Sequence, residues 1–206
     1  MKKLYLLRHG QTEFNVKKLV QGRCDSPLTD LGRQQAAKAA AWLKARDVTP
    51  DKVVSSPLSR AMATARLVAG ELLGPDAAVE PCEGIIERCY GSFEGGPHDA
   101  LPTDVWDPGE DLIPFGGEGS QALQERMVST LANLMSADDV ETVLAVSHGS
   151  ASRQFIKAAA PEGFELPTKL PNCAIMIFDF DDAREEDDTP QCKFTLQQIV
   201  DPQQSH

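Results

Sequence analysis

Hydrophobic positions along this chain fall into two recurring patterns: short unbroken apolar runs, and longer stretches with apolar residues every three or four positions. The first pattern marks strands buried on both faces, and the second marks helices with one buried side. Lys3–Leu7 predicts an opening strand that stops at Arg8-His9-Gly10. Leu31–Arg46, alanine-rich and entered through the turn Ser26-Pro27-Leu28-Thr29-Asp30, predicts a helix. Val53-Val54-Ser55 predicts a short strand. Ser56 and Pro57 then read as the cap and first residue of a helix to about Leu73, with Leu58, Ala61, Met62, Ala65, Val68 and Leu72 on one face. Ala78–Cys82 is a weak strand signal, and Ser120–Met135 a helix carrying Leu123, Met127, Leu131 and Leu134. Thr142–Val146 predicts a strand ending at Ser147-His148-Gly149, with a helix from about Ser150. Ala174–Phe180 and Lys193–Val200 predict a terminal hairpin, joined by the acid-rich connection Asp181–Pro190, which reads as a solvated loop.

Strands alternating with helices predict an α/β fold whose mostly parallel sheet is covered by helices on both faces, a three-layer α/β/α sandwich. Such sheets bind ligands beyond the carboxyl ends of their strands. At 206 residues the chain suits one well-cored domain spanning 1–206. The stretch 91–119, rich in Gly, Pro and Asp, reads as a lid or insertion within it.

Composition narrows the function. The net charge of −11 argues against a nucleic-acid partner, which needs a basic face. No apolar run approaches the ~20 residues that span a bilayer, and the apolar opening is interrupted at Arg8-His9 too early for a signal peptide. Cys24, Cys82, Cys89, Cys173 and Cys192 are scattered, with no CxxC pair. They read as reduced thiols of a cytoplasmic protein, not as disulfides or metal ligands.

Against this background three predicted strand ends deliver unusual polar groups to one sheet edge. These are Arg8-His9-Gly10-Gln11-Thr12-Glu13 with Asn15, then Ser55 to Arg60, then Ser147-His148-Gly149. Burying two arginines and two histidines together is costly unless an anion compensates. Arg60, in a first helical turn, is misplaced for a purely structural cation. Phosphate supplies the missing charge, because guanidinium groups match its oxygens and a helix N-terminus favours it. A neutral imidazole nitrogen is a competent nucleophile when its other nitrogen is held by an acceptor, and Gly10 lets the backbone pass close enough to offer one. Ser59 and Ser147 lack a GxSxG context, and no GxxxxGK[ST] occurs.

Leu7-Arg8-His9-Gly10-Gln11-Thr12-Glu13-Phe14-Asn15 resembles the signature of the histidine phosphatase superfamily, the phosphoglycerate-mutase-like fold. The likeness continues through Gln21-Gly22, Asp25-Ser26-Pro27-Leu28-Thr29, Ser55 to Ala61, Glu87 to Gly95, Gly116-Gly117-Glu118 and Ser147-His148-Gly149. It implies that His9 is the phosphorylated nucleophile. Arg8, Asn15, Arg60 and His148, the last as imidazolium, would hold phosphoryl oxygens, with Gln21, Gly22 and Gly149 around the phosphate. Glu87 matches the proton carrier, with Glu83, Glu94 and Glu118 as nearby competitors, and no metal or cofactor is required. His98 and His206 read as surface residues, although His98 lies in the lid, from where it can face substrate.

The resemblance leaves two chemistries open, hydrolysis and mutase-type phosphotransfer. From Cys89 through Glu125 there is no Lys or Arg but many carboxylates, which favours a phosphatase acting on a small-molecule phosphate ester with a neutral or cationic distal part. A non-catalytic phospho-ligand binder would be expected to have lost His9, His148 or an arginine, and none is lost. The hairpin after Asn172 offers an edge compatible with a homodimer.

Overall fold

The computed structural model describes residues 1–181 and 194–204. The acid-rich connection from residue 182 onward, together with Cys192, Lys193 and His206, lies outside the described residues.

Four apolar runs become the inner strands β1 (Lys2–Arg8), β2 (Lys52–Ser55), β4 (Thr142–Ser147) and β5 (Ile175–Phe180). With the edge strands β3 (Glu80–Pro81) and β6 (Phe194–Val200) they form one sheet in the order β3-β2-β4-β1-β5-β6. β1, β2, β3 and β4 run parallel, whereas the β5–β6 hairpin adds to β1 antiparallel. The weak strand at 78–82 shrinks to two residues, because only Glu80 and Pro81 reach β2 on the sheet edge.

Side chains alternate along each strand, and the alternation sorts the core. Leu4, Leu6, Val143 and Ala145 face the layer of α4 (Ser120–Met135) and α5 (Gly149–Ala159). Leu7, Leu144 and Val146 face α2 (Asp30–Lys44) and α3 (Ser59–Leu73). This is the expected three-layer arrangement. Among the described residues no helix is long and apolar enough to cross a membrane.

Two local features depart from the sequence reading. A short helix α1 (Glu13–Lys17) follows β1, closed by a capping box in which Thr12 and Asn15 satisfy each other's backbone N–H. Helix α3 starts at Ser59 with Leu58 at its cap and no side-chain cap bond, so Ser56 is not the cap. Its hydroxyl is taken up by His148 instead.

The lid is better ordered than its composition suggests. Three short 3-10 turns (91–93, 98–100 and 113–115) punctuate it. A small third core of Val20, Tyr90, Leu101 and Leu112 seats it against the loop after α1.

Candidate active site

β2, β4 and β1 are neighbours and parallel, so their carboxyl ends open onto one edge. Register fixes the rest. Arg8 pairs with Ser147, and the ladder continues one residue further through His9 N–H to the Ser147 carbonyl at 3.0 Å. Ser56 N–H reaches the Val146 carbonyl at 2.9 Å. His9, Ser56 and His148 therefore emerge side by side.

His9 is 2% exposed, and its Nδ1 lies 2.8 Å from the Gly10 carbonyl oxygen. A carbonyl only accepts, so Nδ1 carries the proton and the neutral ring keeps its lone pair on Nε2. Burial, then the nearby Arg60 and Arg8 charges, hold the ring well below the usual histidine range. His9 is thus neutral at pH 7, as a nucleophile must be. Gly10 is required here, because a Cβ at that position would overlap the Gly32 carbonyl.

The His148 ring lies 5.2 Å from that of His9, between centroids, and is inclined by 60°. Its Nε2 contacts Ser56 Oγ at 2.7 Å, while Nδ1 is buried without a protein partner. Burial, Arg60, His9 and Arg8 also push His148 well below the usual range. The expected imidazolium is therefore not provided by the protein alone. Only an anion of opposite sign in the cleft reverses that balance.

Arg60 is buried and donates to the Gly22 and Cys24 carbonyls at 2.6 and 2.8 Å. Arg8 donates to the Leu170 carbonyl, and its guanidinium centre lies 5.0 Å from the Trp106 ring centroid. Burial lowers Arg8 to about 10, so it stays charged at neutral pH. Both arginines keep a buried Nε–H without a protein acceptor. Two buried cations with unused donors beside two neutral imidazoles are a donor set that an anion would satisfy.

Glu87 lines the same cleft as His9, Arg8, Asn15 and Gln21, whereas Glu83, Glu94 and Glu118 do not. Glu118 is ion-paired with Arg126 at 2.8 Å, Glu94 accepts from Tyr90 N–H, and Glu83 is exposed. The Glu87 carboxyl sits at the N-terminus of α5, where Oε1 accepts from Arg88 and Ala151 N–H at 2.9 Å and Oε2 from Ser150 N–H at 3.3 Å. Oε2, with its single long contact, is the less engaged of the two oxygens.

Asn15 turns its oxygen to Thr12 N–H and to Asn172, which leaves its amide nitrogen for the cleft. Gln21 accepts from the Thr12 hydroxyl, and Gly22 presents its carbonyl to Arg60 in a left-handed backbone conformation (φ +48). Gly149 lies under Trp106, where a Cβ would come within 2.7 Å of the indole.

Sequence reasoning missed several contributors. Ser56 fixes His148, and Trp106 stacks over Arg8. Asn172 donates to both the His9 carbonyl and Asn15. Fully buried Arg88 donates to Ser150 Oγ, Ser120 Oγ and the Glu118 carbonyl, pinning the lid base to α5. Of the two readings open for His98, the structure takes the second: it lines the cleft and bonds the Leu19 carbonyl at 3.1 Å.

The acidic lid also points elsewhere than expected. Asp107 pairs with Lys157 and Gln154, Glu110 accepts from Gln121 N–H, and Glu118 faces Arg126. Glu87 is the one carboxylate on the cleft wall among the described residues.

The model of the histidine phosphatase superfamily (branch 1) matches residues 4–189. The chain belongs to that superfamily. A broad-specificity phosphatase of Saccharomyces cerevisiae is 32% identical over 158 residues, covering 75% of this chain and 69% of that one. A probable phosphoglycerate mutase, GpmB, of Escherichia fergusonii is 32% identical over 194 residues, covering 89% and 87%. Among solved structures, a phosphoserine phosphatase of Entamoeba histolytica in complex with phosphoserine aligns with a TM-score of 0.73 at 28% identity, covering 98% of each chain. Membership of the histidine phosphatases makes this chain phosphatase- or mutase-like.

Proposed function

We propose that this protein is a metal-independent phosphomonoester hydrolase working through a phosphohistidine on His9. One observation carries the reading: Gly10 holds His9 Nδ1, which leaves a neutral Nε2 in a cleft shared with Arg8 and Glu87. Nε2 attacks phosphorus as the ester P–O bond breaks, and Glu87 gives its proton to the departing alkoxide. The Glu87 carboxylate then takes a proton from water, whose oxygen attacks the phosphoryl group. The P–N bond breaks and releases inorganic phosphate and neutral His9. Arg8, Arg60, the Asn15 amide and His148 stabilise the charge that builds on the equatorial oxygens.

Phosphoglycerate mutase chemistry is the second reading, favoured by the GpmB relative. Hydrolysis fits better because the inner cleft wall is completed by neutral groups, Leu19, Val20, Tyr90 and Val105, with Arg8 as its one arginine or lysine. The test is turnover of p-nitrophenyl phosphate in EDTA, with acid-labile, base-stable label on the protein. Both should vanish in His9→Ala, and persistent label would overturn the assignment. Interconversion of 3- and 2-phosphoglycerate faster than phosphate release would establish the mutase instead.

A further inference from the structure

Trp106 is the lid residue that meets Arg8. Its ring centroid lies 5.0 Å from the guanidinium carbon, while Arg8 Nε is buried without a protein acceptor. The indole also lies against the first residue of α5. A Cβ on Gly149 would come within 2.7 Å of Trp106 Cζ3 and 3.4 Å of Arg8 Nε, so glycine there leaves room for both side chains.

The next residue in the lid ties the indole down. The Asp107 carboxylate accepts from Gln154 Nε2 at 3.0 Å and pairs with Lys157 Nζ at 2.5 Å. Gln154 and Lys157 stand three residues apart on α5, so they reach out from one face of that helix. Burial alone would raise the Asp107 carboxyl, but Lys157, Gln154 and Arg153 outweigh it and hold it below the usual aspartate range. The clasp is therefore charged at neutral pH. On the other side of Trp106 the Tyr90 hydroxyl donates to the Val105 carbonyl at 2.7 Å. Helix α5 thus carries the Glu87 carboxyl on its first N–H groups and the Asp107 clasp further along.

We propose that Asp107 is a positioning residue: by clasping α5 it holds Trp106 over Arg8, and the indole orients that guanidinium and keeps water from it. The assignment of phosphate to Arg8 rests on the hydrolase reading. A cation fixed against an aromatic face and away from water binds an anion more strongly, because little has to be reoriented or desolvated when the anion arrives.

A double-mutant cycle tests this, read by p-nitrophenyl phosphate turnover and, independently of turnover, by calorimetric affinity for inorganic phosphate. Trp106→Ala should lower kcat/KM and phosphate affinity by about tenfold, within the range of a partly desolvated cation–π contact. Asp107→Ala alone should lower both by about three- to tenfold. Added to Trp106→Ala it should cost less than about twofold more, because it acts through the indole. In a Trp42→Phe background, which leaves Trp106 as the one indole, Asp107→Ala should red-shift the emission and increase quenching by acrylamide. Lys157→Met, on the exposed side of α5, removes the ammonium alone and should produce the same effects at smaller size. It carries the comparison if Asp107→Ala does not fold. Losses that multiply in full in the double variant, an unchanged emission, or wild-type activity and phosphate affinity in the single variants overturn the proposal. If p-nitrophenyl phosphate is not hydrolysed yet phosphate affinity follows the cycle, the hydrolase reading fails and the positioning role stands.

Discussion

His148 Nε2 rests 2.7 Å from the hydroxyl of Ser56, a residue brought beside it because β2 and β4 are parallel neighbours. The contact sets the orientation of a fully buried ring whose other nitrogen has no protein partner. Replacing Ser56 by Ala removes the only bond to that ring from the described residues. We expect a loss of about 1–3 kcal/mol, the desolvation cost of a buried polar atom left unpaired. Urea unfolding checks this, and an unchanged midpoint would show that the contact contributes nothing to stability.

Glu87 and Glu118 are separable by leaving group. Glu87→Gln removes the proton source and should lower kcat by about 10²–10⁴ on alkyl phosphates. The loss should be much smaller on p-nitrophenyl phosphate, whose leaving phenolate needs no proton. Glu118→Gln breaks the pair with Arg126 and should lower stability without that leaving-group dependence. A flat response of Glu87→Gln across leaving groups would exclude it as the proton carrier.

Acid should destabilise the protein from the site outward. His9 and His148 are held well below the ordinary value of 6.5, so they stay neutral in the folded chain while the unfolded chain protonates. Unfolding then takes up protons, and stability falls as pH drops below about 6.5, by about 1.4 kcal/mol per pH unit for each ring, until the folded rings titrate. Above that pH both forms are neutral and the contribution is constant. Denaturant midpoints between pH 7.5 and 5 measure the slope. His9→Asn should flatten it by one ring's share, and an identical slope in that variant would assign the acid sensitivity elsewhere.

The placement of the candidate site was legible in the sequence for a physical reason. β1, β2 and β4 are short continuous apolar runs that read as buried strands, and as parallel neighbours they deliver Arg8-His9, Ser55-Ser56 and Ser147-His148 to one edge. Gly10 was legible because a tight backbone approach needs it. What escaped depends on tertiary contacts without a period. Ser56 before Pro57 has the pattern of a helix cap, and only the position of His148 shows otherwise. The lid carries no helical or strand repeat, and its order comes from Arg88 and the small core around Tyr90. Its carboxylates could be counted but not aimed.

Ser150 is held from two sides. Its backbone N–H reaches Glu87 Oε2, and its hydroxyl accepts from Arg88 Nε. The carboxyl proposed to move protons and the arginine that anchors the lid base are thus adjacent in the chain and grip the same serine. Residues beyond that grip, such as His98, Val105 and Trp106, touch the cleft wall without touching Glu87 through any bond among the described residues. In the proposed hydrolase, changes at His98 or Val105 would reshape the cleft wall that meets the ester's body while the backbone bonds that hold the Glu87 carboxyl stay in place.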